Sequence, residues 1–303
     1  MKIKLLTSVT LFTLALLAGC GTTRWPLAKK DPPPPPMKEL PSAAQLTAYL
    51  NDNGSRLQSI NVAYLDLDCY QGLQSFGLRG KLVAQKGRNL RLTAGAVGSQ
   101  ELDLGSNDQE FWFWVKRGEG LKKGEPSPQF YCSYRDLVEG KVRVMPVPFQ
   151  PEWIMETLGM GPYGPAEKYT VERGPDGRTI RLVEKTTSPQ GKAVKKVIVF
   201  NSQPVAAPHP QVQQFLLLDD ATGKEICSAT IVDTQLDKKT GAVFPRRVEL
   251  RYPEQSVTLK MKLDDAAVNG VVPATAFVRR PLDGVRSIDL AVLHLDPAMG
   301  APR

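Results

Sequence analysis

Histidine and cysteine are scarce in this chain, two and four respectively among 303 residues. His209 stands in Pro208-His209-Pro210 and His294 in Leu293-His294-Leu295, neither beside a Gly-x-Ser-x-Gly turn. The sequence therefore offers no serine nucleophile with its base in reach of a known elbow. Cys69, Cys132 and Cys227 are far apart and match no zinc-ligand spacing, so no metal is expected. Gly118-Glu119-Gly120 lacks the further glycine and helix of a phosphate-cradling loop, and no other cofactor motif is present. The acidic pairs Asp66/Asp68 and Asp219/Asp220 read as strand-surface and turn residues. No nucleic-acid-binding motif accompanies the formal charge of +8. These absences argue against an enzyme and against a nucleic-acid partner. Each internal cysteine alternates with apolar residues (Leu65-Leu67-Cys69, Phe130-Cys132-Tyr134, Cys227-Ala229-Ile231), which suits a small core hydrophobe. Three is an odd number, so whether any pair forms a disulfide stays open.

Also missing is an apolar run long enough to cross a bilayer and remain there. Residues 5–19 are apolar but short, follow Lys2 and Lys4, and end in Leu17-Ala18-Gly19-Cys20. Small residues before a cysteine resemble the lipobox of bacterial lipoproteins. The resemblance implies a signal peptide over 1–19, a diacylated Cys20 as first mature residue, and a membrane anchor outside the cytoplasm. Gly21, rather than Asp, after that cysteine points to the outer membrane, facing the periplasm. Residues 20–41 then form a tether, with the uninterrupted run Pro32–Pro36 favouring an extended spacer. The excess of Lys and Arg suits anionic head groups or acidic envelope polymers.

What is abundant is alternation. Ser42 can cap a helix whose apolar residues Leu46, Tyr49 and Leu50 recur at helical spacing, ending near Leu57. From residue 60 the period becomes two, with one apolar and one polar face in each run. Such runs appear near residues 63–69, 78–85, 90–94, 101–104, 109–116 and 130–134. They resume at 169–173, 179–186, 194–200, 212–218, 226–232, 243–252 and 257–263. Residues 137–150 read as connector. Between the two groups Pro151–Gly159 reads as a short, markedly apolar helix with Pro151 in its first turn and Gly159 at its end. Strand 109–116 is aromatic on both faces: Phe111, Phe113 and Val115 are assigned to the core side, Trp112 and Trp114 to the other. The two tryptophans need cover from the loop at 117–128, a partner or a lipid.

The arrangement resembles the LolA/LolB-like fold of periplasmic lipoprotein carriers, their outer-membrane receptor and lipid-binding lipoproteins. The residues that carry the likeness are Ser106-Asn107-Asp108-Gln109-Glu110-Phe111-Trp112-Phe113-Trp114, the helix around Trp153, and Val257–Asp265 leading to Val268-Asn269 and Ala276-Phe277. The resemblance implies a mainly β fold over residues 42–296, with 297–303 a tail: a strongly curved antiparallel sheet of about 11–13 strands, an incomplete barrel. An N-terminal helix and a lid helix would cover its concave face. It also implies binding of lipid or lipoprotein acyl chains, for transfer or membrane insertion, with a periplasmic carrier protein as a further partner. No cavity residue transfers by motif. Parity and the lid helix nominate Phe111, Phe113, Val115, Phe130, Tyr134, Trp153, Ile154 and Leu158. A rival reading is an envelope sensor or scaffold that grips another protein through Trp112 and Trp114.

Overall fold

Alternation of one wet and one apolar face, repeated in consecutive strands with short links, can bury its apolar side only by bending. The computed structural model describes residues 39–72, 74–96, 98–116, 127–142, 145, 150–202 and 211–293. The leader, Cys20, nearly all of the tether, most of the 117–128 loop, His209, His294 and the tail 297–303 lie outside them.

Helix α1 (Ala43–Ser55) opens the fold with a capping box. The Gln45 amide donates to Ser42 Oγ, and the Ser42 amide donates to Gln45 Oε1. Six strands follow: β1 (Ser59–Gln71), β2 (Gln74–Gln85), β3 (Asn89–Ala96), β4 (Ser99–Ser106), β5 (Glu110–Val115) and β6 (Gln129–Ser133). Two short helices, α2 (Tyr134–Val138) and α3 (Pro151–Thr157), interrupt the sheet. It resumes as β7 (Tyr169–Arg173), β8 (Thr179–Thr187), β9 (Ala193–Asn201), β10 (Val212–Asp219), β11 (Glu225–Leu236), β12 (Val243–Tyr252) and β13 (Val257–Val268), and ends with β14 (Ser287–Asp289).

All fourteen form one sheet in the order β14-β6-β5-β4-β3-β2-β1-β13-β12-β11-β10-β9-β8-β7, which does not close into a barrel. Two antiparallel meanders therefore meet where β1 pairs β13, with Leu65 opposite Leu263 and Leu67 opposite Met261. Such a sheet, with helices against its apolar face, is the mainly β, incomplete-barrel class expected from the sequence. Two details differ. Tyr134 does not extend β6: Ser133 Oγ accepts from the Asp136 amide and starts α2 at Tyr134 instead. β14 was not anticipated; three residues give too little alternation to read, and it pairs parallel to β6.

The inner face carries one continuous core, joined by Leu46 and Leu50 from α1 and by Trp153, Ile154, Met155 and Leu158 from and just beyond α3. Helix α3 ends at Thr157 and the chain turns at Gly159, whose φ of +82° is left-handed and suits glycine. Two asparagines near the end of α1 act as backbone surrogates. Asn53 donates to the Val243 carbonyl and accepts from its amide, both at 2.8 Å. Asn51 does the same for Tyr163, at 3.1 and 3.0 Å. The helix thus ties the segment after α3 to the start of β12. Pro36–Arg303 is one compact unit; it holds every strand and the whole core, which is what a chain segment needs to fold alone.

The outer face has its own closure. Trp112 lies flat on Gly105, the residue opposite it in β4, where an added Cβ would stand 2.1 Å from the indole. The indole donates to Asp103 Oδ1 at 3.2 Å, Asp103 Oδ2 meets Arg91 at 2.7 Å, and the Arg91 guanidinium lies 5.1 Å from the ring centre. Residues 269–293 strap across this surface: Arg91 donates to the Val278 carbonyl, Asn107 to that of Phe277, and Gln129 to that of Arg280. Arg279 pairs with Glu110 and lies over Tyr131.

Candidate functional site: an amphiphilic cavity beneath the inserted helix

Most of the aromatic side chains nominated as a ligand cavity are packed against one another. Phe111 and Tyr134 are 5.7 Å apart between ring centres, Phe113 and Phe130 5.3 Å. Tyr134 is held further by Arg88 over its ring at 4.1 Å and by its hydroxyl against Ser106 Oγ. Phe111, Phe113, Tyr134, Ile154 and Leu158 are buried; Val115 and Phe130 are half-buried at the core edge. Of the eight, Trp153 alone lines one of the concavities described next. Trp112 and Trp114 are also buried, at 0 and 6% exposure, and Trp114 donates to the Ser127 carbonyl. They present no open contact surface in this fold: Trp112 is enclosed by Gly105, Asp103 and Arg91, and Trp114 is tied to Ser127.

The inserted helix α3 does not seal a large hollow. It sinks into the concavity, leaving a cavity of about 330 Å³ between itself and strands β7 to β10. That volume lies near the lower end of small-molecule sites, about 300–1,000 Å³. Its apolar wall comes from Trp153, Leu182, Ile198 and Phe215, and its polar wall from Glu156, Glu184, Lys196, Tyr163 and Tyr169. A smaller void of about 60 Å³ adjoins at Tyr163 and Phe215, towards Tyr49 and Leu50 of α1.

Parity explains why charge is found inside. In β9, Lys196 shares its face with Val194, Ile198 and Phe200, all buried in the core. In β8, Glu184 follows Ile180 and Leu182 on the same side, and it stands opposite Lys196 in the register. Glu156 projects from α3 and meets the Lys196 ammonium at 2.7 Å. Burial pushes the Glu156 carboxyl above the usual carboxylate range, against the pull of Lys196. Burial alone would lower Lys196, but Glu156 and then Glu184 outweigh it and hold the ammonium above its ordinary value. Tyr163 is raised well above its usual range, chiefly by burial and then by Glu156. Its hydroxyl has no hydrogen-bond partner among the described residues. An unmade buried hydrogen bond costs about 1–3 kcal/mol, so this wall is incomplete until something supplies a partner. The cluster is amphiphilic: an apolar floor with a polar wall that accepts and donates hydrogen bonds.

None of Glu156, Glu184, Lys196 or Tyr163 was singled out from the sequence. The signal was present for two of them, since Lys196 and Glu184 fall on the apolar parity of their own strands.

A larger concavity of about 1,090 Å³ lies across the outer surface of β2, β1, β13 and β12. It is open and lined by cross-strand charges such as Asp66, Arg79, Glu249 and Lys260. The pairs Arg79–Asp66 and Lys260–Glu249 stand at 3.8 Å with most partners about half exposed or more. This is a solvated ion-pair ladder, and we place the site in the smaller inner cavity, where polar groups are desolvated. The buried thiols of Cys69, Cys132 and Cys227 are free and pushed up to about 12 by burial, so they are chemically quiet.

No family model and no curated protein matches the sequence. Among solved structures, the fold is similar to a domain described as an outer membrane lipoprotein-sorting protein from Vibrio parahaemolyticus. The TM-score is 0.48 at 10% identity, covering 78% of this chain and 97% of that one. It is likewise similar to a DUF1329 family protein from Desulfovibrio piger, with a TM-score of 0.47, 9% identity, and 78% and 95% coverage.

Proposed function

We propose that this protein is an envelope lipoprotein that takes up acyl chains of lipids or lipoproteins in its inner cavity, for transfer or membrane insertion. The observation that carries the reading is the cavity of about 330 Å³, apolar on one wall and polar on the other, lying under an apolar helix inserted into an open curved sheet. Uptake draws on about 25 cal/mol for each Å² of apolar surface removed from water. The leader at 1–19, the acylated Cys20 and the proline-rich tether to residue 41 would hold the half-barrel near a membrane, the outer membrane facing the periplasm. A periplasmic carrier is the natural delivering partner.

The test is direct. Pro36–Arg303, purified without detergent, should carry lipid detectable by mass spectrometry of its organic extract and should bind a fluorescent acylglycerol. Ile198→Trp, which fills the apolar wall, should abolish both while leaving the circular dichroism spectrum unchanged. A lipid-free protein that ignores the probe would end the proposal. The sensor reading that relies on Trp112 and Trp114 loses its support, because both side chains are covered.

A further inference from the structure

We infer that the inner cavity selects an acyl chain with an uncharged head, an ester or amide carbonyl, over the free fatty acid anion. The inference rests on the acyl-binding reading above and narrows it to one chemical class of ligand.

Two independent observations carry it. The first is the buried hydroxyl of Tyr163, which lines both the larger cavity and its small annexe and lacks a hydrogen-bond partner among the described residues. Its backbone amide and carbonyl are both held by Asn51, which fixes the point from which the buried ring projects into the wall. A phenol donates one hydrogen bond, and a carbonyl oxygen is the acceptor that every acyl ester and amide carries. The second is the charge balance. Lys196 is engaged by Glu156 at 2.7 Å and faces Glu184 across the strand pair, so one ammonium answers two carboxylates. Lys168, the other cation of this cavity, is exposed at its rim. A carboxylate head entering the polar wall meets two like charges and no unengaged inner cation, whereas a neutral carbonyl meets a waiting donor.

The experiment displaces a fluorescent acylglycerol from Pro36–Arg303 with 1-monolauroylglycerol or laurate at pH 8, both below their aggregation limits. The ester should displace the probe at about one-tenth the concentration that laurate needs. Tyr163→Phe should weaken the ester about fivefold and leave laurate within about twofold. Glu184→Gln should improve laurate and narrow the gap from the other side. Both variants are checked for unchanged thermal denaturation. Laurate equal to or stronger than the ester, or a Tyr163→Phe variant that treats both as the native chain does, overturns the inference while leaving acyl binding intact. Failure of the probe to bind at all removes the acyl-binding reading itself.

Discussion

Replacing Lys196 by methionine isolates the electrostatics on which the cavity depends. Methionine keeps the length and apolar contacts of the lysine stem, so the change removes little but the ammonium. Glu156 then loses its 2.7 Å partner while its side chain stays 15% exposed. Breaking a fully buried pair from one side costs about 3–5 kcal/mol. Lys196 is 30% exposed, so water reaches this pair and the expected cost falls to about 2–3 kcal/mol. For a chain of this size that lowers the melting midpoint by about 4–8 °C. The sign with pH follows from Glu156. Its carboxyl is raised in the fold by burial, so its contribution to stability is fully present below its unfolded value of about 4.3 and lost as pH rises through the raised folded value. Without Lys196 the folded value rises further. The gap between native and variant protein should therefore be widest at neutral pH and narrow as pH falls towards 4. Lys196→Met/Glu156→Leu should recover most of the loss at pH 7, since a paired charge replaced by apolar groups is close to neutral in cost. Urea denaturation of the three proteins between pH 4 and 8 measures all of this. A Lys196→Met penalty independent of pH, or a double variant worse than the single, would refute the reasoning.

Other regions give equally definite expectations. Gly105→Ala sets a Cβ against the Trp112 indole, which is fully buried and cannot yield, so denaturation should show a loss of about 1–3 kcal/mol that largely disappears in a Trp112→Ala background. Arg279→Ala removes the Glu110 pair and the contact 3.8 Å from the Tyr131 ring centre; it should cost about 1 kcal/mol and speed hydrogen exchange at the Leu290 amide, which donates to Tyr131. Cys69, Cys132 and Cys227 should stay silent towards an aromatic disulfide reagent at pH 8 and react at once in denaturant; a thiol reactive in the native state would contradict their burial.

The sheet was legible because alternation is a strong signal wherever one face is wet. Leu65-Leu67-Cys69 against Asp66 and Asp68 could only be a half-buried strand, and the same held for Val257-Leu259-Met261-Leu263. The split into two groups of strands around an apolar helix was legible because Trp153, Ile154, Met155 and Leu158 demand an apolar surface to lie on. Elements set by a single hydrogen bond or by three residues were not legible. The Ser133 cap that turns Tyr134 out of β6 competes with an unbroken alternation, and β14 has no pattern of its own. The strap at 269–293, joined through Arg91, Asn107, Gln129 and Arg279, depends on contacts across much of the chain and left no local pattern to read.

The site was hidden by the rule that revealed the fold. Reading strands by parity sorts charged residues to the outside, and Lys195-Lys196 looks like two surface lysines until the register is counted from Ile198 and Phe200. Counting assigns Lys196 inward; the carboxylate that makes this tolerable comes from α3, and a second stands opposite on β8. A buried lysine needs an acid at contact distance, so an inward Lys in a strand and a Glu in an otherwise apolar inserted helix each call for the other. That pairing places the polar wall where the meander is interrupted. The aromatic residues of β5 and β6, for all their prominence in the sequence, sit where the sheet is continuous and its core can close. Beside the inserted helix two carboxylates, an ammonium and an unpaired phenol, all among the described residues, keep apolar side chains from filling the space.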